Sequence, residues 1–139
     1  MVLVDSSVWI EALRREGRLD VKLALECLLE DYEAAWCGPV KLEVLGCARQ
    51  RDREKLETHF SCIPYLQMKD AAWESAKDLA WRLRDRGCIA PWNDILIAAL
   101  SVEADCRIYS VDRHFEMMRE AGGGIRLYRP GYGGAYEPN

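Results

Sequence analysis

Residues 2–15 read VLVDSSVWIEALRR. The apolar run at 2–4 has the composition of a short buried strand, and it stops at Asp5. SSVWIEALRR then has helical character, with Ser6 or Ser7 placed to cap it. The order strand, acid, helix recurs along the chain. AAWC, 34–37, reads as a short buried strand, and Gly38-Pro39 opens the helix PVKLEVLGCAR with proline at a permitted early position. CRIYSV, 106–111, is a strand that ends at Asp112, followed by helical RHFEMMREAG up to the triple glycine at 122–124. The alternation predicts an α/β fold, with a central, mostly parallel sheet flanked by helices on both faces.

The intervening stretches fit that frame. VKLALECLLEDY, 21–32, puts Leu25, Leu28 and Leu29 on one helical face, and RDREKLETHF, 51–60, reads as a charged, exposed helix. CIPYLQ, 62–67, is expected to be extended. KDAAWESAKDLAWRLRDRG, 69–87, is the longest helical pattern, with Trp73, Ala76, Ala80 and Leu83 as its stripe and Gly87 as its end. IRLYR, 125–129, is expected to form a last strand. Without a repeat, a linker or a low-complexity block, residues 1–130 read as one domain. The Gly-, Pro- and Tyr-rich stretch 131–139 is expected to be a flexible tail.

Half of the 139 residues are apolar, as in a globular chain. No apolar run approaches the roughly 20 residues of a membrane span, and Asp5 interrupts the start before a signal-length stretch can form. The expectation is a cytoplasmic protein. The cysteines Cys27, Cys37, Cys47, Cys62, Cys88 and Cys106 form no CxxC pair and read as free core thiols. A net charge of −4 excludes a strongly basic nucleic-acid binder.

APWNDILIAALS, 90–101, contains a run from Ile95 to Leu100 with no polar residue, so that helix is buried. Asp94 stands immediately before the run. Capping and the helix dipole give it one reason to be there. Three more acids share such a place: Asp5 and Asp112 past strand ends, and Glu43 between Leu42 and Val44 on a helix whose Val40, Gly46 and Cys47 face should be buried. In parallel sheets, ligands bind outside the carboxyl ends of the strands, so Asp5 and Asp112 point into one crevice. If the four converge, each pair at about 5 Å repels by roughly 3 kcal/mol at an effective dielectric of about 20. A hard divalent cation, Mg²⁺ or Mn²⁺, resolves that repulsion and keeps coordination positions open for phosphate oxygens.

VLVDSSVWIE, PVKLEVL, NDILIAA and YSVDRHF, in this order and spacing, resemble the PIN-domain nucleases, and most closely the VapC-type toxins of toxin–antitoxin pairs. The resemblance runs from residue 2 to about 129. It implies a PIN-like fold and a divalent-metal-dependent endoribonuclease, with Asp5, Glu43, Asp94 and Asp112 as catalytic metal ligands. Ser6 and Ser110 fall on the family's supporting polar positions, Ser110 where threonine is common, and Asn93 is an additional polar contact. The resemblance also implies an RNA substrate, a homodimer and a VapB-like antitoxin whose tail covers the acidic site.

Rival parallel-sheet families fit less well. A response-regulator receiver needs an acidic pair after the first strand and a late lysine; here Asp5 is followed by Ser6-Ser7, and the last lysine is Lys77. A haloacid-dehalogenase-type phosphatase needs a second acid at position 7, which is serine. A PIN-like scaffold that binds RNA or protein without cleaving is the alternative from another class. Setting aside the four site acids leaves 19 acidic against 19 basic residues, a surface suited to a transient RNA encounter. Arg14 and Arg15, on a helix that starts at the site, are the expected RNA contacts. Trp92 is placed to stack on a base but reads more readily as packing. Trp9, Trp36, Trp73 and Trp81 read as core or interface, and His59 and His114 receive no catalytic role.

Overall fold

A computed structural model describes residues 1–131 and the backbone of 136–137. The expected flexibility of 131–139 therefore falls almost wholly outside the described residues.

Four parallel strands form the central sheet: β1 (Val2–Val4), β2 (Ala34–Cys37), β3 (Tyr65–Leu66) and β4 (Arg107–Tyr109), in the order β3-β2-β1-β4. Val2 is in register with Ala34 on one side and Arg107 on the other. All three β1 residues are buried. Successive side chains point to opposite faces of a strand, so both faces of the sheet are covered. The covering helices are α1 (Ser6–Leu13), α2 (Leu19–Glu30), α3 (Gly38–Leu45), α4 (Arg53–Ser61, entered through a 3-10 turn at Gln50–Asp52), α5 (Asp70–Asp85), α6 (Trp92–Glu103) and α7 (Arg113–Glu120).

From β1 the chain builds outward through β2 and β3, then returns to add β4 on the other side of β1. The carboxyl ends of β1 and β4 therefore flank the switch point where such sheets open a crevice. The two ends are tied together directly, because the Asp5 N–H donates to the Tyr109 carbonyl at 2.9 Å.

Helix α6 is as buried as its composition requires, from Asp94 and Ile95 through Ile97–Ser101. It packs among α5, α3, α7 and β4. Its lone hydroxyl in that stretch, Ser101, donates back to the Ala98 carbonyl at 2.7 Å. Gly87 ends α5 as expected. At φ +75° it adopts the left-handed conformation, and the Gly87 and Cys88 N–H groups close onto the Arg84 and Leu83 carbonyls.

The buried face of α5 differs from the expected one. It is Ala72, Ala76, Leu79 and Leu83, and Trp73 is exposed. A small residue at 72 lets the helix lie close to its neighbours, which an indole would prevent. Trp9 and Trp36 are core residues, with their indole N–H groups donating to the Val4 and Ile63 carbonyls and both rings against Phe60. All six cysteines are free, but Cys47 and Cys62 are exposed rather than core. Burial pushes the Cys37 thiol up to about 12, so it stays protonated and inert.

IRLYR does not form a full strand. Leu127 makes one parallel bridge to Ile108, and the chain then pairs as β5 (Arg129–Pro130), antiparallel to β6 (Tyr136–Glu137). β4 has by then ended to deliver Ser110 and Asp112 to the crevice. Pro130 has no N–H with which to extend a ladder.

Candidate metal centre

Asp5 is the N-cap of α1: its carboxylate accepts from the Ser7 N–H at 3.2 Å and the Ser7 hydroxyl at 2.5 Å. The expected serine cap is therefore replaced by the acid before it. Asp112 likewise caps α7, accepting from the His114 N–H at 3.0 Å. Asp94 does not cap. Pro91 occupies the N-cap of α6, and Asp94 lies within the first turn with no side-chain cap bond. Its buried carboxylate faces the crevice and meets the His114 ring instead.

The four acids belong to one hydrogen-bonded circuit. His114 Nδ1 lies 2.8 Å from Asp94 Oδ2 and 3.1 Å from Asp112 Oδ1. The Ser110 hydroxyl accepts from the Asp112 N–H at 2.9 Å and donates to Asp5 Oδ2 at 3.0 Å. The Ser6 hydroxyl lies 3.4 Å from Asp5 Oδ1 and donates closely to Glu43 Oε2. Asn93 Nδ2 donates to Glu43 Oε1 at 2.7 Å, and Asn93 neighbours Asp94 in the chain, which closes the loop. Asp5, Ser6, Glu43, Asn93, Asp94, Ser110 and Asp112 are thus brought together as the sequence predicts.

The expected burial of the Glu43 face and the packing of Trp92 need correction, and Arg14 and Arg15 stand at a distance from the acids. Glu43 is half-buried at the rim: Val40 and Val44 are buried, but Gly46 and Cys47 are exposed. Glu43 therefore pays less for desolvation than a core acid would. Arg14 and Arg15 lie beyond the far end of α1, about 14 Å along the helix axis from Asp5, and Arg14 lies 3.5 Å from Glu11. Trp92 is not packed. It is 72 % exposed, on the same helical turn as Asp94.

Two participants were not anticipated. The Ser7 hydroxyl joins Asp5 to the Val111 N–H at 3.2 Å and lies 3.1 Å from the Ser110 hydroxyl. His114 reaches two of the acids. A signal for it was present: in Asp-x-His at a helix start, the cap bond from the histidine N–H folds its residue back toward the capping carboxylate.

Burial pushes the Asp94 carboxyl up to about 6; nearby Asp5 adds to the rise, Asp112 adds less, and His114 opposes it. Burial raises Asp5 as well, against hydrogen bonds from Ser7 and Ser110 and with Glu43 adding to the rise. Among the described residues, no Lys or Arg ion-pairs with any of the four acids. The donor set is carboxylate-rich and short of positive charge, and one donor atom each from Asp94, Asp112 and His114 lie within 4.8 Å of one another. These residues fit a divalent cation.

The PIN domain family model matches residues 2–121. Ribonuclease VapC11 of Mycobacterium tuberculosis and the VapC ribonuclease Mb1587 of Mycobacterium bovis are each 30% identical over 122 residues, covering 85% of this chain and 91% of theirs. FitAcB from Neisseria gonorrhoeae shares the fold with a TM-score of 0.72 at 17% identity, over 94% of this chain and 98% of its own. VapBC2 from Rickettsia felis, solved with a DNA fragment from its promoter, gives 0.74 at 16% identity, over 91% and 97%. With its strand order, its crevice acids and a family match over most of its length, the chain belongs to the PIN-domain family.

Proposed function

We propose that this protein is a divalent-metal-dependent endoribonuclease, the toxin of a toxin–antitoxin pair. The observation that carries the reading is the closed circuit joining Asp5, Glu43, Asp94 and Asp112 at the switch point between β1 and β4. The 30% identical relatives named as VapC ribonucleases support the same activity.

Asp5, Asp94 and Asp112 would hold Mg²⁺ or Mn²⁺, which supplies positive charge for the phosphate and acidifies water when bound. Glu43 has both oxygens tethered, one by Ser6 and one by Asn93. Held in that orientation, Glu43 would join the metal ligands or orient a water and take its proton. The water oxygen bonds to phosphorus as the bond to the leaving sugar oxygen breaks, so no protein nucleophile is needed. Ser6, Ser7 and Ser110 keep Asp5 in one orientation, and α6 holds Asp94 rigidly through its buried length.

Arg14 and Arg15 guide RNA lying along α1 away from the cut. A VapB-like antitoxin closes the acidic crevice with a cationic side chain, whose charge complements the uncompensated carboxylates. The proposed setting is the cytoplasm; among the described residues no helix is long and apolar enough to cross a membrane. A second copy of the chain covers the face where Trp73, Trp81, Ile89 and Trp92 are 57%, 61%, 76% and 72% exposed. These side chains offer roughly 500 Å² per chain, so two copies would approach the roughly 1,000 Å² that specific interfaces exceed.

The test is incubation of antitoxin-free protein with total RNA and Mg²⁺ or Mn²⁺. Discrete cleavage is expected, abolished by EDTA and reduced at least about a thousandfold in Asp94→Asn. Cleavage that survives Asp94→Asn would sink the assignment. A folded, metal-loaded protein that binds RNA without cutting it would favour the scaffold.

A further inference from the structure

Ser7 and His114 are the members of the circuit that the family resemblance does not assign, and of the two only His114 carries a nitrogen that can bind a metal. Its Nδ1 stands 2.8 Å from Asp94 Oδ2 and 3.1 Å from Asp112 Oδ1. Donor atoms on adjacent corners of an octahedron with ligand bonds of about 2.1 Å stand about 3.0 Å apart. Both nitrogen–oxygen distances are of that size, and the two carboxylate oxygens lie within 4.8 Å of each other, so the three side chains can converge on one ion. The His114 backbone N–H is bonded to Asp112 Oδ1 at 3.0 Å, which makes Asp112 and His114 one unit at the head of α7. The ring is only partly exposed, with 37% of the side-chain surface accessible, so its approach to the acids is guided by the surrounding structure.

We propose that His114 gives a nitrogen ligand to the divalent ion held by Asp94 and Asp112, and that this donor shifts the site's preference from Mg²⁺ toward Mn²⁺. The inference rests on the metal-dependent reading above. Mg²⁺ prefers oxygen donors and keeps much of its water, whereas imidazole suits the first-row transition ions better. An all-carboxylate crevice would discriminate little; one nitrogen in the ligand set changes that. Coordination uses the Nδ1 lone pair, with the ring proton on Nε2. The competing role is an Nδ1–H donor clamped between two carboxylates, which places no nitrogen on the ion.

Pulsed electron paramagnetic resonance on the full chain loaded with Mn²⁺ alone separates the two roles. A nitrogen hyperfine coupling is expected in the wild type and absent in His114→Gln. Calorimetric titrations should show the Mn²⁺-to-Mg²⁺ affinity ratio falling about tenfold in that variant, with circular dichroism checking its fold. Bound Mn²⁺ without nitrogen coupling in the wild type overturns this inference and leaves the nuclease reading intact; the wild-type spectrum needs no variant to fold. An unchanged affinity ratio in folded His114→Gln overturns the selectivity claim. Failure of Mn²⁺ to bind at all overturns both.

Discussion

Asp94 carries most of the site's electrostatic tension. It is buried at the start of α6, caps nothing and shares the crevice with Asp5 and Asp112. Burial moves its carboxyl from 3.8 to about 6, and Asp5 moves the same way. A raised carboxyl binds its proton more tightly in the folded state than in the unfolded chain. The metal-free protein should therefore gain stability as pH falls through about 6 toward the ordinary carboxylate range, and lose it as pH rises. For Asp94 the difference is at most roughly 3 kcal/mol. Thermal melts in EDTA should show Tm rising from pH 7 to pH 5. Asp94→Asn, which removes the charge but keeps the shape, should raise Tm at pH 7 by a few degrees and flatten that slope. A pH-independent Tm, or a destabilised Asp94→Asn protein, would contradict this account. The acids were legible residue by residue, because each interrupts an apolar run or ends a strand. His114 was legible only in part: Asp-x-His at a helix start places it near Asp112, but its contact with Asp94, twenty residues away, depends on how α6 and α7 pack.

Helix α1 starts at Asp5 and ends short of Arg14 and Arg15, so it runs from the cutting site to two cations about 14 Å away. Reversing both charges, Arg14→Glu with Arg15→Glu, should weaken RNA cleavage by about tenfold at low salt through KM rather than kcat. The fold should be unchanged, since both side chains are exposed. Steady-state kinetics at two salt concentrations would check this, and an unchanged KM would remove both residues from the substrate path. Elements such as α6 were read correctly because a helix apolar on every side has one possible environment. α5 was harder. Its stripe 73, 76, 80, 83 and its true face 72, 76, 79, 83 share two positions, and hydrophobicity alone favours the tryptophan. Packing favours the alanine, because only a small side chain lets the helix approach closely. IRLYR had strand composition, but its partner strand β4 ends before a ladder can form.

Across the whole molecule, the core ties β1 and β4 together and leaves an aromatic face outside it. Trp81, 61 % exposed and 4.9 Å beneath the Lys77 amine, lines that face together with Trp73, Ile89 and Trp92. Trp81→Glu should convert a dimer to a monomer in sedimentation experiments while shifting Tm little, because the indole has no role in the core. A monomeric wild type, or a variant that still dimerises, would place the interface elsewhere. The sequence by itself determined the alternation of strands and helices, the buried run of α6 and the identity of the four acids, because periodicity and charge in apolar surroundings are local properties. Only the tertiary structure decided that the four share one hydrogen-bonded circuit, that Asp94 faces the crevice rather than caps its helix, and that His114 belongs with them. Those facts depend on distances between residues far apart in sequence, and such distances are fixed by strand order and helix packing rather than by local composition.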